Sequence, residues 1–382
     1  MLVCVKDANV NIDTMRFSHL LEADGLYDLN QFFARTAFVV AHKNESLETL
    51  LGVIWYLPVS SPILIVTNCS EIEKEKLERA LIEQLAHHPH VFLIHQKDEA
   101  IAHFFAERGA HAILDVTGRV ANGKGEGMYI GALIASLLGY PKWIVFYDAD
   151  NFVPSALLEY TLAMSRLFMQ EQAASAYESE NGKLHNVRIC WSSKPALGAK
   201  SVPVGEMGRC TRVVSPLLTE LVAHWFNIQD CAIISSNAGE QGFTMEAAQT
   251  LRFSSGYSVE TFLFLDLLSH AFNASKESHP RRVILQQYQA QSPHFHEKGD
   301  EEHIKRMISD SLGSFYYFRE QFSPGLKRQI RRTYKELDLE VRLPTVYPSL
   351  RELAVEQDEV FANRYRLSER RLVFAGQEDL CG

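Results

Sequence analysis

The chain has 382 residues, of which 46% are hydrophobic and 22% charged, with a formal net charge of −9. That balance fits a soluble globular protein with a sizeable core and excludes a disordered or membrane chain. The acidic surplus excludes general affinity for nucleic acid, and six cysteines with no CxxC pair exclude a disulfide framework or a zinc cluster.

At the start, Lys6 and Asp7 interrupt the apolar core that a signal peptide needs. The longest apolar window, "YIGALIASLLGY" (129–140), is too short to span a bilayer, so a cytoplasmic protein without membrane contact is expected. Residues 1–30 carry no motif and read as an extension. Next come a strand "TAFVVAH" (36–42), a helix from about Ser46, a strand "SPILIVTN" (61–68), a charged helix "EIEKEKLERALIEQLAHH" (71–88) and a strand "VFLIHQ" (91–96). This is the βαβ rhythm of a parallel sheet covered by helices on both faces. A Gly-rich loop, "GRVANGKGEGM" (118–128), leads to a helix over 129–139, a strand ending at Asp148 and a helix after Pro154. In the second half "NVRICW" (186–191), "CAIISSN" (231–237) and "RRVILQQYQAQ" (281–291) read as strands and "GYSVETFLFLDLLSHAF" (256–272) as a buried helix. From about residue 300 the pattern is helical and charged, which makes one elaborated α/β domain with a helical C-terminal region.

Ligands of open α/β sheets gather beyond the carboxyl ends of the strands, and "WIVFYDADN" (143–151) puts Asp148 and Asp150 at such an end. Carboxylates at i and i+2 leaving a strand point the same way and can share a divalent cation. On this motif alone, capping of the next helix by Asp150 or Asn151 is the plainer alternative. Acids at the tip of a buried strand are costly, however, unless a cation or hydrogen bonds meet them. Downstream, "SPHFHEKGDEEH" (292–303) offers His294 and His296, either of which can complete a metal shell. Two further segments suit phosphate. "NGKGEGM" (122–128) sets three glycines around Lys124 before a helix, although it is no Walker A motif. "GEMGRCTR" (205–212) adds the bidentate donors of Arg209 and the hydroxyl of Thr211.

The ordered set "VVAHKNE", "HQKD", "GKGEGM", "FYDADN", "GRCTR…SPLLTELV", "SNAGE", "GYSVE" and "PHFHEKGDEEH" resembles the mannosyl-3-phosphoglycerate synthases, and more loosely the glucosyl-3-phosphoglycerate synthases, over residues from about 36 to 312. The resemblance implies a GT-A-type nucleotide-sugar-binding domain over 31–315, with a mostly parallel central sheet flanked by helices and a helical C-terminal region over 316–382. Its nucleotide-sugar half would run over about 31–150 and its acceptor half over about 151–315. It implies a retaining glycosyltransferase that moves mannose from GDP-mannose to the 2-hydroxyl of 3-phosphoglycerate with Mg2+ or Mn2+, and it admits a homodimer. Residue by residue, Asn44 and Glu45 would meet the guanosine, with Gln96, Lys97 and Asp98 nearby. Lys124 would sit on the phosphates, and Asp148 and Asp150 would address ribose and metal. Asp150 would be the direct metal ligand, joined by His296 or His294. Gly208, Arg209, Cys210 and Thr211 would cradle the acceptor phosphate, while Asn237, Gly239 and Glu260 would hold sugar or acceptor. Asp150, Arg209 and Glu260 would carry the catalysis. Two departures stand out: Cys210 replaces an aliphatic residue, and Ala41 and His42 replace Pro and Thr.

Other readings fit less well. A haloacid dehalogenase phosphatase wants Thr or Val two places after the second Asp, where this chain has Phe152. A nucleotidyltransferase opens with a basic Gly-rich loop after its first strand, which "AHKNESLE" is not. A glucosyl-3-phosphoglycerate synthase using another nucleotide sugar stays open, as does a silent sugar-nucleotide binder that assembles through the tail "LRELAVEQDEVFANRYRLSERRLVF".

Overall fold

The computed structural model describes residues 2–6, 10–16, 29–174, 183–195, 207–228, 231–274, 281–295 and 300–367. Its first half runs β1 (Leu2–Lys6), β2 (Val10–Arg16), α1 (Leu29–Phe33), β3 (Thr36–His42), α2 (Leu47–Ile54), β4 (Ile63–Thr67), α3 (Glu71–Gln84), β5 (Val91–His95), α4 (Glu99–Glu107), α5 (Lys124–Leu137), β6 (Trp143–Asp148) and α6 (Pro154–Ala174). The second half continues with β7 (Lys183–Cys190), α7 (Arg209–Phe226), β8 (Gln241–Thr244), α8 (Met245–Thr250), β9 (Phe253–Ser254), α9 (Val259–Asn273), β10 (Arg282–Gln289), α10 (Glu301–Tyr317), α11 (Pro324–Glu336), β11 (Val346–Tyr347) and α12 (Glu359–Asn363).

Nine strands pair in the order β1-β2-β10-β7-β8-β6-β3-β4-β5. The strands β6, β3, β4 and β5 are parallel, β8 runs antiparallel between β6 and β7, and β10 is parallel to β7 and β2. This mostly parallel sheet, covered by helices on both faces, is the GT-A-type arrangement that the resemblance implies. Both faces are buried because strand residues alternate between two apolar layers. In β3, Ala37 and Val39 face the layer of α4, α5, α7 and α9, whereas Phe38 and Val40 face that of α1, α2, α3 and α6. In β6, Ile144 and Phe146 divide in the same way from Trp143, Val145 and Tyr147.

Three segments differ from the expectations above. Helix α5 begins at Lys124, five residues early, and the glycines belong to its first turn. A Cβ on Gly125 would lie 1.9 Å from the Ser254 carbonyl oxygen, so glycine lets the helix approach that backbone. Glu126 fixes this contact by accepting from Gly256 N–H at 3.1 Å and the Tyr347 hydroxyl at 2.6 Å. Residues 231–237 form no strand. Their backbone groups are taken by side chains instead of a ladder: Gln287 accepts from Ile234 N–H and donates to the Ala232 carbonyl, and Thr219 accepts from Ile233 N–H. The antiparallel strand lies just beyond, as β8. In the tail, only α12 is helical among the described residues of 350–367, and Arg366 then pairs with Phe92 at the edge of the sheet.

Arg188 of β7 is fully buried and binds this irregular region together. Its guanidinium donates to the carbonyls of Ser235 (2.9 Å), Ser236 (3.1 Å) and Glu260 (3.1 Å) and to the Gln241 amide oxygen (2.6 Å). Burial lowers its pKa from 12.5 to about 9. Arg188→Met should lower the unfolding free energy by about 2–4 kcal/mol, because each orphaned buried acceptor costs about 1–3 kcal/mol and relief of the buried charge returns part of it. Urea denaturation checks this, and a loss below about 0.5 kcal/mol would contradict the assignment.

Candidate active site

Beyond the carboxyl ends of β3 and β6, where the chain's strand order changes direction, lies a cavity of about 570 Å3. Its wall combines the ends of these strands (His42, Asp148) with the first turns of α5 (Lys124) and α7 (Arg209, Thr211) and the turn before α9 (Tyr257).

At the centre, Lys124 donates to Asp148 Oδ1 at 2.6 Å and to Glu260 Oε1 at 2.6 Å. Burial opposes its charge, but the two carboxylates prevail and hold the ammonium well above its ordinary 10.5. Two further acids lack such a partner. Burial, then the Asp148 charge, raises Asp150 from 3.8 to about 6, opposed by Lys194 and Lys124. Its side chain is 36% exposed, but Oδ1 itself is buried without a hydrogen bond from the described residues. Glu240 has no exposure, and its two oxygens lack hydrogen-bond partners among the described residues. Burial and then Asp148 push it from 4.5 up to about 8. Between these acids sits His294, fully buried, with Nε2 3.7 Å from Asp150 Oδ1 and Nδ1 3.3 Å from Glu240 Oε1. Its ring packs on Trp191 at 4.7 Å, and Lys194 Nζ lies 4.0 Å from the Trp191 ring centre.

A carboxylate and an imidazole with buried, unsatisfied oxygen nearby are donors that suit Mg2+ or Mn2+. No three His, Cys, Asp or Glu side chains among the described residues are grouped to enclose a metal ion. Two protein ligands are nonetheless what a cation shared with substrate phosphates requires. His296 lies outside the described residues.

Two helix N-termini open onto the same cavity, and both are capped by glycine with no side-chain hydrogen bond: α5 by Gly123 and α7 by Gly208. By contrast, Ser46, Ser70, Asp98, Thr244, Asp300, Ser323 and Asp358 cap α2, α3, α4, α8, α10, α11 and α12 with their own oxygens. The N–H groups at the start of α5 and α7 are therefore left for an anion.

Of the residues singled out from the sequence, Glu45, Gln96, Lys124, Asp148, Asp150, Gly208, Arg209, Cys210, Thr211, Asn237, Gly239 and Glu260 line this cavity. Gln96 acts partly as a brace, its amide donating to the Ala121 and Gly123 carbonyls ahead of α5. Gly239 is needed for space, since a Cβ there would lie 2.0 Å from Asp148 Oδ2. Burial pushes the Cys210 thiol up to about 12, which leaves it inert. Asn44, Lys97, Asp98 and His294 do not line the cavity, His294 sitting buried behind Asp150. Lys97 pairs with Asp115 at 2.6 Å, and Asp98 caps α4 by accepting from Ala100 N–H at 2.8 Å. Residues the sequence did not single out are Glu240, Lys194, Trp191 and Arg306. Glu240 had the one available signal, as the last residue of "SNAGE".

The raised Glu240 pKa carries a pH dependence. Its folded value lies above its unfolded one, so its contribution to stability is fully present below pH 4.5 and is lost as pH rises through 8. Glu240→Gln removes that loss. In metal-free buffer the variant should gain several degrees in Tm over the parent at pH 9 but not at pH 4.5, by calorimetry. An equal difference at both pH values would contradict the buried-charge assignment.

The family model described as mannosyl-3-phosphoglycerate synthase (osmo_MPGsynth) matches residues 7–361. The mannosyl-3-phosphoglycerate synthase of Pyrococcus furiosus is 31% identical over 306 residues, covering 78% of this chain and 75% of that one. That of Aeropyrum pernix is 28% identical over 361 residues, covering 89% and 87%. Among solved structures, glucosyl-3-phosphoglycerate synthase from Mycobacterium tuberculosis in complex with uridine-diphosphate is similar at a TM-score of 0.49 and 16% identity, covering 89% of this chain and 98% of that one. No described helix is long and apolar enough to cross a membrane. A match that spans nearly the whole chain, together with these relatives, establishes that it belongs to the mannosyl-3-phosphoglycerate synthase family of glycosyltransferases, which transfer mannose to 3-phosphoglycerate.

Proposed function

We propose that this chain transfers mannose from GDP-mannose to the 2-hydroxyl of 3-phosphoglycerate, with retention at the anomeric carbon and with Mg2+ or Mn2+ bound by Asp150 and His294. The observation that carries this reading is the cluster of acids at one end of the cavity, Asp148 and Glu260 on Lys124 and Asp150 beside His294, in a cavity that also receives two glycine-capped helix N-termini.

The donor would lie over the α5 end of the cavity. Glu45 and His42 flank the base side; the His42 ring is held between Thr67 Oγ1 (2.9 Å) and the Glu45 carbonyl (3.1 Å). The N–H groups of the first turn of α5 face the diphosphate, with the Lys124 ammonium beside them. When bound, the cation would offset the charge that develops on the departing nucleoside diphosphate. Asp150 and His294 would hold it. Asp148 and Glu260 keep Lys124 charged and hold it from two sides, a preorganised positive centre in the site.

The acceptor would lie at the α7 end, its phosphate on the N–H groups beside Gly208 and on Arg209 and Thr211. Arg209 also has Glu301 3.8 Å away, which limits its swing. Asn237, held by Ser311 at 2.8 Å, borders the space between the two ends. Fixing both substrates in this way contributes several kcal/mol through orientation. The domain division stated above is part of the same proposal.

Incubation with GDP-mannose, GDP-glucose, UDP-glucose or ADP-glucose plus 3-phosphoglycerate, with and without chelator, tests the reading. NMR should show an α-mannoside at the 2-hydroxyl from GDP-mannose, abolished by chelator. Turnover from a glucose donor alone would overturn the donor assignment. Asp150→Ala should lose metal-dependent turnover by more than about 100-fold while its circular dichroism is unchanged, and near-normal rates would remove the metal role. Arg209→Ala should raise the KM for 3-phosphoglycerate at least tenfold and leave GDP-mannose affinity unaltered by calorimetry; unchanged acceptor KM would refute the acceptor subsite.

A further inference from the structure

A carboxylate with no exposed surface is costly unless something meets its charge, and Glu240 is such a carboxylate: neither oxygen has a hydrogen-bond partner among the described residues. Its titratable neighbour is an imidazole, His294 Nδ1, 3.3 Å from Oε1. The same imidazole turns its other nitrogen, Nε2, to Asp150 Oδ1 at 3.7 Å. Glu240, His294 and Asp150 thus form a line from the protein interior to the cavity wall.

Both ends of the inner contact are anchored by backbone. The Glu240 carbonyl accepts from Ile189 N–H at 3.0 Å, just before β8, and His294 N–H donates to the Ser193 carbonyl at 3.0 Å. Trp191 lies against the ring at 4.7 Å with an interplanar angle of 36°. The ring is therefore held in place, and what stays open is the position of its proton. A neutral imidazole carries one N–H. If Nε2 bears it, that nitrogen can only donate to Asp150 and has no lone pair for a cation; if Nδ1 bears it, Nε2 keeps a lone pair with which to ligate.

We propose that Glu240 is a positioning residue that accepts the Nδ1–H of His294 on Oε1, with any proton of its own on Oε2, so that the Nε2 lone pair is presented beside Asp150 to the divalent cation. No covalent step is involved, and Glu240 itself touches neither cation nor substrate. The inference rests on the metal-dependent reading above, and it assigns a role to the one site acid that neither the sequence motifs nor the paired Lys124 explains. It also gives a function to an acid with no access to solvent: an amide of the same size would cost less to bury but, able to donate as well as accept, would fix the imidazole proton less firmly.

The test compares the parent with Glu240→Gln and Glu240→Leu, using Mn2+ alone and no substrate. Free Mn2+ measured by electron paramagnetic resonance should show about 10- to 100-fold weaker binding for Glu240→Leu, the usual loss when the outer partner of a ligating histidine is removed. Glu240→Gln, whose amide oxygen can still accept, should show a smaller loss, a graded rescue that a purely structural role would not give. In 15N-histidine-labelled protein, with the His294 signals identified by their loss in His294→Ala, the metal-free parent should carry the proton on Nδ1. Glu240→Leu should shift it toward Nε2. Unchanged Mn2+ affinity in both folded variants, or a parent with the proton on Nε2, would overturn the proposal. A parent that binds no Mn2+ either alone or with GDP would instead overturn the metal-dependent reading, and the NMR arm would still decide whether Glu240 holds the imidazole.

Discussion

The structure of this site follows from an excess of buried negative charge. Asp148 and Glu260 are satisfied by Lys124, which they hold protonated from two sides at 2.6 Å. Asp150 and Glu240 are left over, and their pKa values rise to about 6 and about 8 because ionising them beside Asp148 in a dry environment is unfavourable. A protein that needed only stability would replace them by neutral residues, since buried charges seldom repay their desolvation. Their placement, Asp150 on the wall of a 570 Å3 cavity and Glu240 buried behind His294, fits the proposed cation brought in from solvent. The proposed reaction, which would leave a nucleoside diphosphate behind, is one in which such a cation is useful.

The scaffold brings these charges together by giving up regular pairing nearby. Between β7 and β8 the chain at 231–237 has no ladder partner, and Arg188, Gln287 and Thr219 replace it with side-chain bonds. Arg188 also holds the Glu260 carbonyl, so the backbone that carries one lysine partner is tied to the centre of the sheet. On the other side, Glu126 ties the first turn of α5 to Gly256 and Tyr347. Lys124 is thereby set at a fixed distance from both β6 and α9. The glycines serve close approach: Gly125 admits the Ser254 carbonyl and Gly239 admits Asp148.

Much of this was legible in the sequence where one physical signal dominated. Strands β3 to β5 are short apolar runs separated by helices with Ser caps, and their presence follows from that rhythm. Asp148, Asp150, Lys124 and the "GRCTR" segment were legible because their chemistry lies at strand ends and helix starts, where the fold puts ligands. Other features depended on tertiary context. The first turn of α5 looks like a loop because glycine is a poor helix former, yet packing against β9 compensates. Residues 231–237 have strand-like composition but lie beside no free ladder. Strand β8, "QGFT", is too short to show a period. Asp98 was taken with the nucleotide contacts of its motif, whereas its position two residues before Ala100 makes it a helix cap. Glu240 had no spacing to reveal it, since its meaning comes from burial and from an imidazole more than fifty positions away.

The most direct measurement is the anomalous difference map of crystals grown with Mn2+ and GDP. A single strong peak about 2.0–2.3 Å from an Asp150 carboxylate oxygen and from His294 Nε2, with diphosphate oxygens completing the shell, is the expected result. A map with no peak there, or with Mn2+ bound only by residues elsewhere while GDP occupies the cavity, would contradict a cation-centred site.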